Sequence, residues 1–300
     1  MPKRGKRAAK RNAHPGSEKW SDRSKKSRRE LSQNFLKDKR VAKRIVAESG
    51  VGKDDLVVDL GAGGGMLTRQ LARASRQVVA VEYDPYWAMH LRERFSDDDN
   101  VRVVQGDALT MRLPKEPFIV VANVPFNITT PILHRLLNDP TSPLRSAHLL
   151  VQKQVALKHA RSTPSTLKTL NWSPWYGFSA GLELPADAFH PKPEVDARLM
   201  VAAKRDPPLV APEHRHLFRA FVRRGFEGHG NSMSETLRPF FTKTQLRRLA
   251  RDNRFSLHWP PSMLTMHQWE RLFDAMMLLA PRNRWPSSRR HAKRESWHCC

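Results

Sequence analysis

Asn123-Val124-Pro125-Phe126 brings an amide, a stiffened turn and an aromatic ring together at the end of an apolar run, Phe118–Ala122. These residue types suit grasping the amino edge of a planar base. The asparagine carboxamide oxygen can accept a hydrogen bond from an exocyclic amine. Pro125 fixes its own φ and keeps Val124 extended, so a main-chain carbonyl can be aimed at the same amine. Phe126 offers a face on which an extruded base can stack. Four residues alone equally describe an ordinary turn, so the reading depends on what the rest of the chain supplies.

About 60 residues upstream, the run Leu56–Leu60 carries Asp59 and leads into Gly61-Ala62-Gly63-Gly64-Gly65. Glycines there let the main chain turn tightly and pass close to a bound nucleoside. A dinucleotide fingerprint would require glycine at position 66, where Met66 stands, and this argues against a nicotinamide cofactor. A second apolar run ends at Glu82, well placed to accept from both hydroxyls of an adenosine ribose. A third, Val101–Gln105, leads into Gly106-Asp107-Ala108, where a carboxylate can accept from an adenine amine. Any one of these acids could equally be a helix cap. Three of them, at the ends of successive strands beside a glycine turn, point to a ligand at that sheet edge.

The elements that must hold these residues follow an α/β alternation. Leu56–Leu60, Val78–Val81, Val101–Gln105, Phe118–Ala122 and His148–Val151 read as short apolar strands. Helical stretches Leu67–Arg73, Tyr86–Phe95 and Pro131–Asn138 lie between them. Near-continuous apolar strands predict a parallel sheet covered on both faces. An amphipathic helix is expected from Leu36, with Leu36, Val41, Ile45 and Val46 on its apolar side. Trp175–Ala180 and Val195–Ala202 fit later strands, an antiparallel pair at one edge. After Pro207-Pro208 and Pro212 the pattern turns helical: Glu213–Phe226, Met233–Phe241, Thr244–Asp252 and Met266–Leu279. Thr265 and Gln268 have capping-box spacing, and Trp269, Leu272, Phe273 and Met276 form an apolar stripe suited to core packing.

The expected organisation is a basic tail over 1–30, a catalytic domain over 31–206, a helical domain over 207–280 and a second basic tail over 281–300. The formal charge is +24, unevenly spread. Residues 1–29 carry 12 basic and 2 acidic side chains, 198–254 carry 13 and 5, and 281–300 carry 6 and 1, whereas 30–197 are nearly balanced. Basic flanks around a near-neutral body suit a polyanionic partner, RNA or DNA. The two cysteines, Cys299 and Cys300, are adjacent and cannot build a disulfide framework or a spaced zinc site, which fits a reducing cytoplasm. No apolar run approaches the roughly 18 residues of a membrane span, and no secretory signal is expected.

With these segments in hand, the chain resembles the rRNA adenine N6-methyltransferases, which use S-adenosylmethionine and include the Erm resistance enzymes and the KsgA type. The resemblance rests on Ser32-Gln33-Asn34-Phe35-Leu36, Asp59–Gly65, Glu82, Gly106-Asp107, Asn123–Phe126 and Phe189–Asp196, in the family's order and spacing over about residues 30–240. Ser-Gln-Asn-Phe and Asn-Val-Pro-Phe are similar to the Erm branch. The run Gly63-Gly64-Gly65 departs from the many relatives with a larger or charged middle residue.

The resemblance implies a Rossmann-like, S-adenosylmethionine-dependent methyltransferase sheet with a small C-terminal helical domain. It implies a monomer that acts on 23S rRNA, with no metal. Gln33, Asn34, Leu36, Asp59, Gly61, Gly63 and Gly65 would form the methionine end of the cofactor site. Glu82 would hold the ribose, Asp107 and Ala108 the adenine, and Asn123 would border the same site. Asn123 and the Val124 carbonyl, with Pro125, would grip the target amine, and Phe126 would stack on the base. Phe189 would close its other side. From the charge pattern over 198–254, Arg223 and Arg224 are expected to meet RNA phosphates. A KsgA-type 16S enzyme, a DNA adenine methyltransferase and a non-catalytic RNA-binding factor on the same fold are the rival readings.

Overall fold

The computed structural model describes residues 34–163, 166–227 and 232–287. Gln33 and both basic tails, as far as residue 33 and from residue 288, lie outside the described residues. Strand β1 (Phe35–Leu36) is followed by helix α1 (Lys39–Glu48), strand β2 (Leu56–Leu60), helix α2 (Met66–Ala74) and strand β3 (Gln77–Glu82). Helix α3 (Pro85–Arg94), β4 (Val101–Gln105), β5 (Phe118–Asn123), α4 (Thr129–Leu137) and β6 (Leu144–Gln152) continue the alternation. Short helices α5 (Lys153–His159) and α6 (Leu167–Leu170) precede β7 (Tyr176–Leu184), β8 (Phe189–His190) and β9 (Ala197–Lys204). Helices α7 (Arg215–Glu227), α8 (Met233–Leu237), α9 (Lys243–Asp252) and α10 (Met266–Leu279) complete the described chain.

Seven strands form one sheet in the order β4-β3-β2-β5-β6-β9-β7. The first five are parallel, and β9 and β7 run antiparallel to their neighbours. The expected antiparallel pair is therefore present, with β9 joining β6 to the edge strand β7. Both faces are buried: Leu56, Val58, Phe118, Val120 and Ala122 enter one apolar cluster, while Val57, Ile119 and Val121 enter another. That alternation at period two is what a sheet covered by helices on both sides requires.

Chain order reverses between β2 and β5, since β3 and β4 extend to one side and β6 to the other. Their register runs from Leu56↔Phe118 to Val58↔Val120, and both strands continue beyond it, to Leu60 and Asn123. Such a reversal opens a crevice at the carboxyl ends of the strands. The glycine turn and the Asn123 turn leave the sheet there.

Leu36 does not begin a helix. It lies in β1, paired with Phe189 of β8, and its side chain is buried. Asp38 accepts the Arg40 amide at 2.7 Å and caps α1, so the helix starts at Lys39. Ala42, Ile45 and Val46 then form its buried face.

The C-terminal helices share their core with the sheet. One apolar cluster includes Val120 and Tyr176 from strands, Phe218 and Phe221 from α7, and Trp269 and Phe273 from α10. Trp175 meets Phe218 edge-on at 6.1 Å, and Phe218 meets Phe273 at 5.3 Å. Arg219, buried on α7, donates to the Asn138 carbonyl at 2.6 Å and stacks over Trp175. The boundary near residue 206 is a change from strands to helices with no break in packing. The Thr265–Gln268 capping box is formed, and Trp269, Leu272, Phe273 and Met276 are buried.

Candidate active site

The glycine turn is dictated by backbone conformation. Gly61, Gly63 and Gly65 have φ of +74°, +52° and +76°, values that L side chains rarely adopt. The Gly61 and Ala62 amides donate to the Val81 carbonyl at 2.8 and 3.0 Å, tying the turn to β3. A Cβ at Gly63 would lie 2.5 Å from Cε1 of Phe35, so that ring rests directly on the turn. Cβ positions at Gly61 face Pro125 Cδ and the Asn123 carbonyl at 3.8 and 3.9 Å. The two loops singled out in the sequence therefore adjoin.

Glu82 stands at the end of β3, 1% exposed. Its carboxylate accepts the Gly63 amide at 2.7 Å through Oε2 and the Asp84 amide at 2.9 Å through Oε1. Burial pushes its carboxyl upward from the ordinary value, and the two amide bonds oppose that. Glu82 thus shapes the turn while bordering the crevice. Asp107 is half-buried; it accepts the Leu109 amide at 2.8 Å, and the neighbouring Gly106 amide donates to the Glu82 carbonyl. Ala108, half-buried beside it, packs against the main core.

Asp59, expected in the cofactor set, is 1% exposed and accepts the Thr68 hydroxyl at 2.7 Å. It fastens the first turn of α2 to β2. Burial, helped by the charge of Glu82, pushes its carboxyl up to about 7. Leu36 likewise acts from inside the core, by packing.

Asn123 closes β5. Its Nδ2 donates to the Asn34 carbonyl at 2.6 Å, which orients the carboxamide and leaves Oδ1 the acceptor side. Val124 is buried, and Pro125 has φ −55° and ψ 131°. The Pro125 carbonyl takes the Ile128 amide, starting the short 3-10 turn Phe126–Ile128. Phe126 is half-buried, with one side packed on the cluster that holds Leu36 and Phe189.

One expectation needs correction. Phe189 does not close the far side of a base: it is fully buried in β8, paired with Leu36, in the cluster on which Phe126 rests. An aromatic type in the sequence does not reveal which surface it faces. Arg223 and Arg224, expected to meet RNA phosphates, differ in exposure: Arg224 is exposed on α7 and Arg223 is half-buried. Arg223 has a partner, and Arg224 lies over the Phe240 ring at 5.8 Å.

Two residues have no role assigned from the sequence. Phe35 covers the glycine turn and meets Trp87 at 5.2 Å. Tyr83, directly after Glu82, is 62% exposed and presents an aromatic ring at the rim. A large apolar residue following the acid of β3 was the available signal.

The residues fit a nucleoside bearing a charged amino-acid tail. Glycines needed by conformation turn the main chain tightly at the sheet edge, and Glu82 and Asp107 supply carboxylates there. Comparison with known proteins decides the family. The family model for ribosomal RNA adenine dimethylase matches residues 24–271. The chain belongs to that family. An rRNA methyltransferase of Streptomyces thermotolerans is 35% identical over 285 residues, covering 91% of this chain and 93% of that protein. The mycinamicin-resistance protein MyrB of Micromonospora griseorubida is 37% identical over 211 residues, 70% of this chain and 67% of that protein. Among solved structures, the 23S rRNA methyltransferase ErmE superposes with a TM-score of 0.75 at 28% identity, covering 81% of this chain and all of that one. Within the dimethylase family, the fold expected from the sequence is the fold found.

Proposed function

We propose that this chain methylates N6 of one adenine in 23S rRNA from S-adenosylmethionine, and so confers macrolide–lincosamide–streptogramin B resistance, as a cytoplasmic monomer. The observation that carries this reading is the Asn123 carboxamide, whose nitrogen donates to the Asn34 carbonyl so that its oxygen is the acceptor, in a loop that adjoins the glycine turn through the Asn123 main-chain carbonyl. The resemblance to MyrB and ErmE supports the resistance assignment and the choice of 23S rRNA.

Gly61, Gly63 and Gly65, with Phe35, would cradle the methionine end. Glu82 would hold the ribose, and Asp107 with the Ala108 amide the adenine. When bound, the cofactor supplies an electrophilic methyl on sulfur. The lone pair of an adenine N6 is delocalised into the ring, which makes it a poor nucleophile. Asn123 Oδ1 and the Val124 carbonyl would accept hydrogen bonds from the two amine N–H groups, favour pyramidal nitrogen and direct its lone pair along the line of transfer. Positioning and preorganised acceptors carry the catalysis, and no strong base is required because the proton becomes acidic once nitrogen is alkylated. Extruding the base costs a few kcal/mol. Stacking on Phe126, worth about 1–3 kcal/mol, offsets part of it.

Phosphate contacts fit α9 better than α7. Lys243, Arg247 and Arg251 are exposed at four-residue spacing on α9, with Arg248 beside them. Asp252 pairs with Arg248 at 3.4 Å and Arg251 at 3.1 Å, while Lys243 and Arg247 lie further up the helix. Such a stripe is suited to holding RNA by its backbone while Asn123–Phe126 handles the base.

Primer extension on 23S and 16S rRNA after incubation with methyl-labelled cofactor tests the reading. One blocked adenine in 23S rRNA is the expected result. Label confined to 16S rRNA would assign the KsgA-type role, and no label in either would overturn the proposal.

A further inference from the structure

The sequence places three glycines in a row at 63–65, but they are not equivalent. Gly63 and Gly65 have positive φ, and an added Cβ would strike Phe35 at one and Phe95 and Leu91 at the other. Gly64 has no positive φ, and its Cβ would meet Trp87 Cζ3 at 3.6 Å, an ordinary contact. Neither conformation nor space demands glycine at 64. The residue therefore adds chain freedom in the middle of the turn, and freedom that must be removed when a ligand is gripped weakens binding.

Local packing does not remove that freedom. Gly65 occupies the N-cap of α2 and brings no side-chain cap. Gly63 and Gly64 line an open pocket together with Trp87, His90, Leu91 and Glu93 of α3. Arg94, the last residue of α3, lines the same pocket, and its Nη1 donates to the Gly64 carbonyl at 2.5 Å. The end of α3 is itself braced. Arg69 of α2 donates to the Arg94 carbonyl at 3.3 Å and lies over Phe95 at 5.1 Å, and Phe95 fills the space against Gly65.

We infer that Arg94 is a positioning residue for the cofactor turn, a strut that holds Gly64 and thereby keeps the Gly63 and Gly65 amides in their bonded places. The consequence for the cofactor rests on the function proposed above; the strut itself does not. A charge-assisted bond to a carbonyl restrains the middle of the turn from outside, where a larger residue at 64 would have restrained it from within.

The test uses the full chain in four forms: wild type, Arg94→Met, Gly64→Ala and the double variant. Arg94→Met keeps the aliphatic stem and removes the donor. In ligand-free protein, amide hydrogen exchange at Gly63 and Gly65 should quicken about three- to tenfold, the effect of losing one hydrogen bond to a charged group at a partly solvated site. The Trp87 and Leu91 amides and the melting temperature should stay unchanged. Calorimetry with S-adenosylhomocysteine should show a comparable loss of affinity, with kcat and the KM for RNA unaltered and Arg94→Lys partly retaining binding. In the Gly64→Ala background the same Arg94→Met change should have less than half the effect, because the alanine already restrains the turn. Unchanged exchange at both glycine amides would overturn the strut, as would an equal loss in both backgrounds or faster exchange throughout α3. A wild-type chain that fails to bind S-adenosylhomocysteine would sink the proposed function, and the exchange comparison would still decide the role of Arg94.

Discussion

The carboxamide nitrogen of Asn123 donates to the main-chain carbonyl of Asn34 at 2.6 Å, joining positions 89 residues apart. The bond fixes which side of the amide is the acceptor. It also ties the segment bearing Phe35, which covers the glycine turn, to the loop assigned to the target base.

Asn123→Ala removes both the oriented acceptor and its anchor. Single-turnover methyl transfer is expected to slow by about 10²–10³, the range for deleting one preorganised hydrogen-bonding group. S-adenosylhomocysteine affinity should change little. Asn123→Asp should be nearly as slow, since it keeps the acceptors but loses the donor to Asn34. A rate close to wild type in either variant would remove Asn123 from the chemistry.

Phe126 and Phe189 should separate cleanly. Phe126→Tyr keeps a stacking face and should retain activity, whereas Phe126→Leu should lower kcat/KM for RNA by about tenfold or more. Phe189→Ala empties a buried site, and denaturant unfolding should report a loss of about 3–5 kcal/mol. A stable but inactive Phe189→Ala protein would return that ring to the substrate site.

Glu82→Gln keeps the size of the side chain but turns an amide NH2 toward one of the donors at Gly63 and Asp84. Titration calorimetry should show cofactor affinity reduced about tenfold or more, as expected when a buried charged acceptor is lost. Affinity within twofold of wild type would mean that Glu82 serves only the turn.

Asp59 sets a pH dependence of defined sign. Its carboxyl is raised from 3.8 to about 7, so between those values the folded chain keeps a proton that the unfolded chain has released. Its contribution to stability is greatest near the lower value, declines as pH rises toward 7, and is level above that. His148 and His159 act in the opposite sense: burial lowers both from 6.5 to about 4, so stability is lost as pH falls through that window. Asp59→Asn can still accept from Thr68. It should be more stable than wild type at pH 8 by up to about 4 kcal/mol, with the gap closing toward pH 4. A difference independent of pH would show Asp59 to be an ordinary carboxylate.

For RNA, Lys243→Ala with Arg247→Ala should flatten the dependence of log affinity on log salt by about 1.5 to 2, because two phosphate contacts no longer release counterions. Methylation at saturating RNA should persist. Arg224→Ala, already engaged with Phe240, should leave the slope as it was. The reverse pattern would restore α7 as the phosphate-binding helix.

Much of this protein is legible in its sequence because the relevant signals are local. Short runs rich in apolar and β-branched residues mark β2 and β4 at Leu56–Leu60 and Val101–Gln105, and a capping box with a helical stripe marks α10 at Met266–Leu279. The glycines at 61, 63 and 65 are where positive φ is required, and Glu82, Asp107 and Asn123 stand at strand ends. What only the tertiary structure decided depends on strand order and on partners far along the chain. Leu36 is apolar and precedes a helix, yet pairing with Phe189 draws it into a strand. Phe126 and Phe189 share a residue type, and only their positions on the folded sheet make one half-buried at the site and the other core. Arg94 lies 30 residues beyond Gly64 and reaches it because β3 packs beside β2. Periodicity reports which face of an element is buried. It does not report which distant residue will press against that face, because that is set by how the strands are ordered and how the helices pack over them.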